Sequence, residues 1–150
     1  MNKNNKKHRK NIRLKNYDYT TNGAYFVTIC TDFKREYIHK KERLIIEHEL
    51  LMLQNRFKGT EIDFYTIMSN HIHFVLFLDN CAVSLSRIIQ AFKSISTLQL
   101  KKSGFDQRVF WQRNFYEHII RNKEALTKIR KYVMNNPIAE RIDVEEIYGQ

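Results

Sequence analysis

The chain has 150 residues, 43% hydrophobic and 13% aromatic, with a formal net charge of +10. This length and composition predict one packed globular domain. No apolar run approaches the roughly 18 residues of a membrane span, and the N-terminus, rich in lysine and asparagine, lacks the apolar centre of a secretory signal. Cys30 and Cys81 are far apart in the sequence, which predicts reduced thiols in a cytoplasmic protein.

The excess of positive charge predicts a polyanionic partner, most commonly nucleic acid. A membrane partner is disfavoured because no basic amphipathic helix with exposed aromatic residues is evident. Residues 1–17 contain no acidic residue and are expected to form a flexible basic tail, followed by a single domain at 18–150. The tail residues predicted to contact nucleic-acid phosphates are Lys6, Lys7, Arg9, Lys10 and Arg13.

Hydrophobic patterning and turn residues predict the order of strands and helices. The predicted elements are a strand at 25–31, a candidate edge strand at 36–38, a helix at 43–57 stopped by Gly59, strands at 62–68 and 71–78, a helix from the N-cap Ser84 to about Lys101, a strand region at 109–120 and a helix at 123–135. In the strand at 62–68, Ile62 and Phe64 are expected on one face. The order predicts an α+β fold, a ferredoxin-like βαββαβ antiparallel sheet with an additional C-terminal helix.

The stretch 69–78, S-N-H-I-H-F-V-L-F-L, is rich in β-branched and aromatic residues, which predicts a strand with one buried face. Because alternate side chains of a strand share a face, His71 and His73 project together, opposite Ile72 and Phe74. Two adjacent imidazoles are half of a metal site or of an acid–base pair. The alternative is a pair of ordinary histidines at the solvated end of a strand.

Two predicted helices carry further candidate residues. Arg87 and Lys93 lie among short polar side chains on the helix after Ser84, which suits contact with phosphates, although a solvated face is equally ordinary. On the last helix, Tyr132 and Asn136 are four residues apart and therefore share a face. Taken as an isolated pair, they are also consistent with a core aromatic residue and a helix cap beside a proline.

Five separate blocks of sequence share their order with one known family. The blocks are Y-F-V-T at 25–28, M-S-N-H-I-H at 68–73, S-L-S-R-I-I-Q-A-F-K-S at 84–94, F-W-Q-R-N-F-Y-E-H-I-I-R at 110–121 and Y-V-M-N-N-P at 132–137. Together they resemble the REP-associated tyrosine transposases, which are single-tyrosine transposases with a His–hydrophobic–His motif. The resemblance spans about residues 25–137. Ser69 departs from the family, which commonly has proline there, and this alters only the bend before the histidines.

The resemblance implies a metal-dependent endonuclease and strand transferase that acts on single-stranded DNA at hairpins through a covalent 5′-phosphotyrosine. His71 and His73 match the family's metal ligands, and Tyr132 matches the nucleophile. Asn136 matches the polar ligand that completes the metal site. Nitrogen and oxygen ligands without a nearby thiolate favour Mg²⁺ or Mn²⁺. Tyr116 is a rival nucleophile by position, but it lacks the helical partner that Tyr132 has.

DNA contacts are also expected outside the basic tail, at Arg87, Lys93, Arg113 and Arg121. Two other functions stay open at this point. The chain is alternatively a non-catalytic nucleic-acid-binding module of the same fold class, or a phosphoesterase that uses metal-activated water. Both a monomer and a homodimer are compatible with the resemblance. Glu117 and His118 lie either at the periphery of the active site or in ordinary hydrogen bonds at a strand end.

Overall fold

The computed structural model describes residues 22–135. The elements, in chain order, are β1 (Gly23–Cys30), a short 3₁₀ turn (Asp32–Lys34), α1 (Lys40–Arg56), β2 (Thr60–Ile67), β3 (His71–Leu78), α2 (Leu85–Lys102), β4 (Tyr116–Ile120) and α3 (Lys123–Asn135). The predicted basic tail and Asn136 lie outside the described residues. In the described part of the chain, no helix is both long enough and apolar enough to cross a membrane.

The four strands form one antiparallel sheet in the order β2-β3-β1-β4. Each of the two central strands, β1 and β3, is followed by a helix that leads to the strand on the far side of the other. This interleaving of two split βαβ units defines the ferredoxin-like arrangement and confirms the predicted fold class. The range of α3, Lys123–Asn135, is also as predicted.

Two hydrophobic cores cover the two faces of the sheet. The main core contains α1 and α2, which pack on alternate strand residues that include Ile72 and Phe74. The smaller core, here called the α3 core, joins Val133 of α3 to Phe26 of β1 on the opposite face. Because the main core takes Ile72 and Phe74, the histidines of β3 point towards the α3 side, as the alternation of the strand predicts.

A β-bulge in β2 changes the predicted pattern of side chains. Two residues, Asp63 and Phe64, oppose the single residue Val75 of β3, because the register shifts between Ile62 and Tyr65. Ile62 belongs to the main core, whereas Phe64 packs against the α3 core. The prediction that Ile62 and Phe64 share a face is therefore wrong, since a bulge interrupts the strand period.

The candidate edge strand at 36–38 is not a strand. Both sides of β1 are already occupied by β3 and β4, so the segment that follows β1 finds no free edge there. The backbone N–H of Ile38 donates instead to the carbonyl of Ser69, and the Ile38 side chain is buried in the main core. The apolar character of the segment thus serves packing rather than strand pairing.

The last strand is shorter than the predicted region 109–120 and contains only Tyr116–Ile120. The segment before β4 is a loop, because two of its carbonyls, those of Gln112 and Asn114, accept hydrogen bonds from the ammonium of Lys93 on α2. Asn114 also has a positive φ of 68°, which lies outside the conformation of a regular strand. Within this loop only Trp111 forms an isolated bridge to the sheet, beyond the end of β1.

The two cysteines are free, as the sequence predicts, and both are buried. Burial raises the pKa of Cys30, and the nearby charges of Lys34 and Lys93 partly offset that effect.

The predicted N-cap of α2 is confirmed as well, because the side chain of Ser84 accepts a hydrogen bond from the backbone N–H of Arg87.

Candidate active site

The two histidines of β3 lie side by side, with ring centroids 4.9 Å apart. Each ring is oriented through its Nδ1 atom. Nδ1 of His73 forms a hydrogen bond of 2.6 Å with Oγ1 of Thr28, its partner across β1. Nδ1 of His71 donates to Oδ1 of Asn70 at 2.5 Å. These bonds leave the two Nε2 atoms as the remaining ring nitrogens, which is how metal-binding histidines are commonly oriented.

The Nε2 atom of His73 is buried and has no hydrogen-bond partner among residues 22–135. An unmatched buried polar atom costs free energy, so it calls for an explanation. Burial lowers the pKa of His73 well below its ordinary value, and the charge of His71 lowers it further. The ring is therefore neutral at neutral pH, which is the form that binds a metal.

The histidine pair thus fits a metal ion in its chemistry and orientation. Within the described ranges, no group of three or more histidine, cysteine, aspartate and glutamate side chains could hold an ion. The described residues therefore offer two imidazoles at most from these residue types. Further ligands would come from an amide, water or phosphate oxygen, which hard divalent cations accept readily.

Tyr132 of α3 faces the histidine pair. Its half-buried ring lies edge-on to that of His73, with centroids 6.1 Å apart. The next residue, Val133, is buried in the α3 core and anchors this turn of the helix on the sheet. At the start of α3, Oδ1 of Asn122 accepts a hydrogen bond of 2.8 Å from the backbone N–H of Ala125. A capped and packed helix therefore holds the tyrosine at the histidines.

Three contacts that shape the site were not predicted from the sequence. Two are the hydrogen bonds that Thr28 and Asn70 make with the histidine rings. The third is an ion pair between Asp63 of β2 and Arg130 of α3. Thr28 and Asp63 meet partners 45 and 67 residues away, respectively, so no local pattern in the sequence could reveal them. Only Asn70, next to His71, had a local signal.

The register of β4 against β1 shows on which face of the sheet Tyr116, Glu117 and His118 lie. Tyr116 is paired with Thr28 and His118 with Phe26, so both lie on the side of the histidine pair. Tyr116 is nevertheless one strand further from β3, with β1 between them. Glu117 alternates to the side of the main core. Of the two candidate nucleophiles, Tyr132 is the one with a ring contact to His73.

The predicted DNA-binding residues of the domain lie on α2, in the loop before β4 and directly after β4. Arg87, Arg113 and Arg121 are exposed. Lys93 and Arg113 line a cleft of about 740 Å³ between α2 and the segment 108–115, on the side of the sheet that carries α2. Arg108 also lines this cleft and was not predicted. A role of these residues in DNA binding stays a prediction.

A ferredoxin-like sheet that sets a histidine pair against a helix-borne tyrosine is the arrangement expected of a DNA-processing transposase. The family model described as "Transposase IS200 like" matches residues 19–136. The chain therefore belongs to the IS200-like transposase family, and its function is a transposase-like one in DNA processing.

Similar proteins support the same assignment. A Haemophilus influenzae protein named, provisionally, a REP-associated tyrosine transposase is 24% identical, covering 83% of this chain and 77% of its own. An uncharacterised protein of the same organism is 29% identical over 87% of this chain and 89% of its own. The resemblance to REP-associated tyrosine transposases that the sequence predicts is confirmed.

Solved structures show the same fold. A REP-associated tyrosine transposase bound to a REP hairpin has a TM-score of 0.71 and 19% identity, covering 85% of this chain and 73% of its own. A protein from Deinococcus radiodurans R1 that is provisionally named a transposase has a TM-score of 0.59 and 14% identity. The match covers 82% of this chain and 97% of the Deinococcus chain.

Proposed function

We propose that the chain cleaves and rejoins single-stranded DNA next to a hairpin, with Tyr132 as the nucleophile. The observation that carries this proposal is the contact between the rings of Tyr132 and His73, on the side where the buried Nε2 of His73 has no partner among the described residues. Both residues come from one chain, so the proposed site does not need a tyrosine from a second copy.

The proposed cleavage is a transfer of the phosphoryl group to tyrosine. The phenolic oxygen of Tyr132 forms a bond to phosphorus as the bond from phosphorus to the 3′ oxygen breaks. The tyrosine gives up its proton, and the 3′ oxygen gains one as it leaves. The products are a 5′-phosphotyrosine and a free 3′-hydroxyl, and attack by such a hydroxyl in the reverse direction rejoins the strand. Free tyrosine, with a pKa of about 10, is a poor nucleophile, so nearby positive charge is needed.

The proposed metal ligands are His71, His73 and Asn136, the last outside the described residues. A bound Mg²⁺ or Mn²⁺ would act as a Lewis acid that neutralises charge on the phosphate oxygens. The chain's own contribution is to fix both imidazoles through Thr28 and Asn70. Burial raises the pKa of Cys30, the residue paired with His71, and so disfavours its thiolate as a further ligand, which supports a cation that prefers nitrogen and oxygen ligands.

The proposed substrate contains a hairpin with an unpaired flank. One support is the similar solved transposase, which is bound to a REP hairpin. The other is the net charge of +10, which favours binding to phosphates. The exposed Arg87, Arg113 and Arg121 are proposed phosphate contacts of the domain, together with Lys93 and the tail residues Lys6, Lys7, Arg9, Lys10 and Arg13.

A denaturing gel of labelled hairpin DNA tests the proposal directly. Wild-type protein with Mn²⁺ is expected to give a covalent protein–DNA band that EDTA prevents. The variant Tyr132→Phe is expected to lose this band while it binds the hairpin nearly as well. Tyr116→Phe is the matched control, because it removes the rival hydroxyl on the same side of the sheet, and it should keep the band.

Other outcomes would contradict the proposal. An adduct that survives Tyr132→Phe would exclude this nucleophile. Metal-dependent hydrolysis that never gives an adduct would indicate a phosphoesterase that uses water. Hairpin binding without cleavage, unaffected by EDTA and by His71→Ala, would indicate a non-catalytic binding module.

A further inference from the structure

The short turn after β1 presents an aromatic side chain to solvent in an unfavourable backbone conformation. Phe33 is 71% exposed, more than any other large hydrophobic residue that the structure describes. Phe33 and Lys34 both have left-handed backbones, with φ of 53° and 52°. Bulky residues rarely adopt this conformation, because it costs free energy that the surrounding contacts must offset.

Hydrogen bonds tie this turn to the histidine pair. The backbone N–H of Thr31 donates to the carbonyl of Asn70 at 2.9 Å, and the Thr31 hydroxyl donates to the carbonyl of Arg35 at 2.6 Å. The side-chain amide of Asn70 donates to the carbonyl of Lys34 at 3.4 Å, while its Oδ1 accepts from Nδ1 of His71. A single amide thus orients a proposed metal ligand and holds the strained turn beside it.

The Phe33 ring also makes a cation–π contact with Arg35. The guanidinium of Arg35 lies 4.9 Å from the ring centroid, and it is itself held by a hydrogen bond to the hydroxyl of Tyr37 and a 3.7 Å contact with the carboxylate of Asp32. Most of the ring remains in solvent. An exposed aromatic ring next to Lys34 and Arg35 combines the two means by which proteins bind single-stranded nucleic acid, base stacking and attraction of phosphates.

We propose that Phe33 stacks on an unpaired DNA base adjacent to the phosphate at the histidine pair, while Lys34 and Arg35 contact the sugar–phosphate backbone. This inference rests on the proposed function and adds to it how the single-stranded flank is held. The side chain of Asn70 links the backbone of this turn, at Lys34, to the ring of His71, and the exposure of the Phe33 ring excludes a role in the hydrophobic cores.

The test uses the Tyr132→Phe background, in which DNA binds without reacting. Single-stranded oligonucleotides carry 2-aminopurine at one position at a time, numbered from the phosphate that the wild-type protein cleaves. We expect a change in 2-aminopurine emission within one or two nucleotides of that phosphate. Phe33→Ala should abolish this change and weaken single-strand binding roughly 5- to 160-fold, the effect of one lost stacking contact. Phe33→Trp should restore both.

Two controls separate stacking from other roles of Phe33. Leu44→Ala removes a similarly exposed apolar side chain from α1 and should change neither readout. Phe33→Gly replaces the residue by one that accepts a positive φ, so the Tm should stay the same or rise while DNA affinity falls. A Tm lowered by Phe33→Gly would show that the side chain is structural and would overturn the inference.

Unchanged single-strand binding by Phe33→Ala would also overturn the inference. So would a sedimentation experiment in which the wild-type protein is a dimer and Phe33→Ala is a monomer that still binds DNA normally, because Phe33 would then be a contact between protomers. Failure of the proposed function is distinguishable from these outcomes. If the wild-type protein forms no adduct, the positions of 2-aminopurine are numbered instead from the nucleotide at which the hairpin stem ends. The affinity and emission of the Phe33 variants still report whether a base is stacked on the ring.

Discussion

Arg130 of α3 binds both carboxylate oxygens of Asp63 on β2. Its Nε lies 2.9 Å from one oxygen and its terminal nitrogen 3.0 Å from the other. The hydrogen bond to Asp63 raises the pKa of Arg130. Arg130 lies two residues before Tyr132, so this two-point contact fixes the turn of α3 that carries the tyrosine. The planar guanidinium also restricts rotation of the helix about its axis.

We therefore expect Arg130→Gln to slow formation of the covalent DNA adduct several-fold while the Tm changes little. The Arg130 side chain is 39% exposed, and partly exposed ion pairs contribute little to global stability. Arg130→Lys keeps the charge without the two-point geometry and should fall between wild type and Arg130→Gln. Single-turnover adduct formation and thermal melting are the measurements. Wild-type rates in Arg130→Gln would show that the ion pair does not position Tyr132.

Thr28→Val removes the hydroxyl that bonds to Nδ1 of His73 and keeps a side chain of similar shape. If His73 is a metal ligand, loss of this orienting contact should weaken Mn²⁺ binding about 10- to 100-fold. The free energy of unfolding should fall by about 1–3 kcal/mol, because Nδ1 is left unmatched in a buried position. Thr28→Ser retains a hydroxyl and serves as the control. Calorimetric titration with Mn²⁺ and urea unfolding measure the two effects, and equal Mn²⁺ affinity in both variants would contradict the prediction.

Phe26 supports His73 from within the α3 core. The residue is fully buried, and its ring is stacked on that of His73 with centroids 5.1 Å apart. Phe26→Ala should lower the free energy of unfolding by about 3–5 kcal/mol, as expected for removal of a buried aromatic ring. Phe77→Ala, at a partly buried position against the same core, should cost less. Urea denaturation compares them, and equal losses would argue against a special role of the Phe26 position.

Burial and the charge of Arg121 lower the pKa of His118. Between that lowered pKa and the ordinary value of about 6.5, the unfolded chain binds more protons than the folded one. Stability from the neutral ring is therefore present above about pH 6.5 and is lost as pH falls towards the folded pKa. His118→Gln should flatten this part of the stability curve. In an NMR titration, Arg121→Gln should raise the pKa of His118, and an unchanged value would exclude Arg121 as a cause.

The parts of the site that depend on local pattern were predictable from sequence. The period of two in β3 predicts that His71 and His73 share a face, and the cap residue Asn122 marks the start of the helix that carries Tyr132. The partner of His73 could not be predicted in this way. Thr28 reaches it only through the register of β1 against β3, which is set by packing of the whole sheet.

Two errors in the predicted strands have related physical causes. Segment 36–38 has the composition of a strand, but both sides of β1 are occupied. Segment 109–115 is equally rich in aromatic residues, but Lys93 takes two of its carbonyls. In each case residue type indicated strand propensity, whereas the availability of a partner for the backbone decided the structure. That availability is a property of the assembled fold.

The bulge in β2 makes the site sensitive to the number of residues in a strand that has no chemical role. It directs both Asp63 and Phe64 towards α3, one for the ion pair and one for packing. Deleting a single residue between Ile62 and Tyr65 would restore unbroken alternation and leave room for only one of those contacts. Divergence at this point of the chain can therefore exchange residue types more easily than it can change length, because a gap here would shift the helix that carries Tyr132.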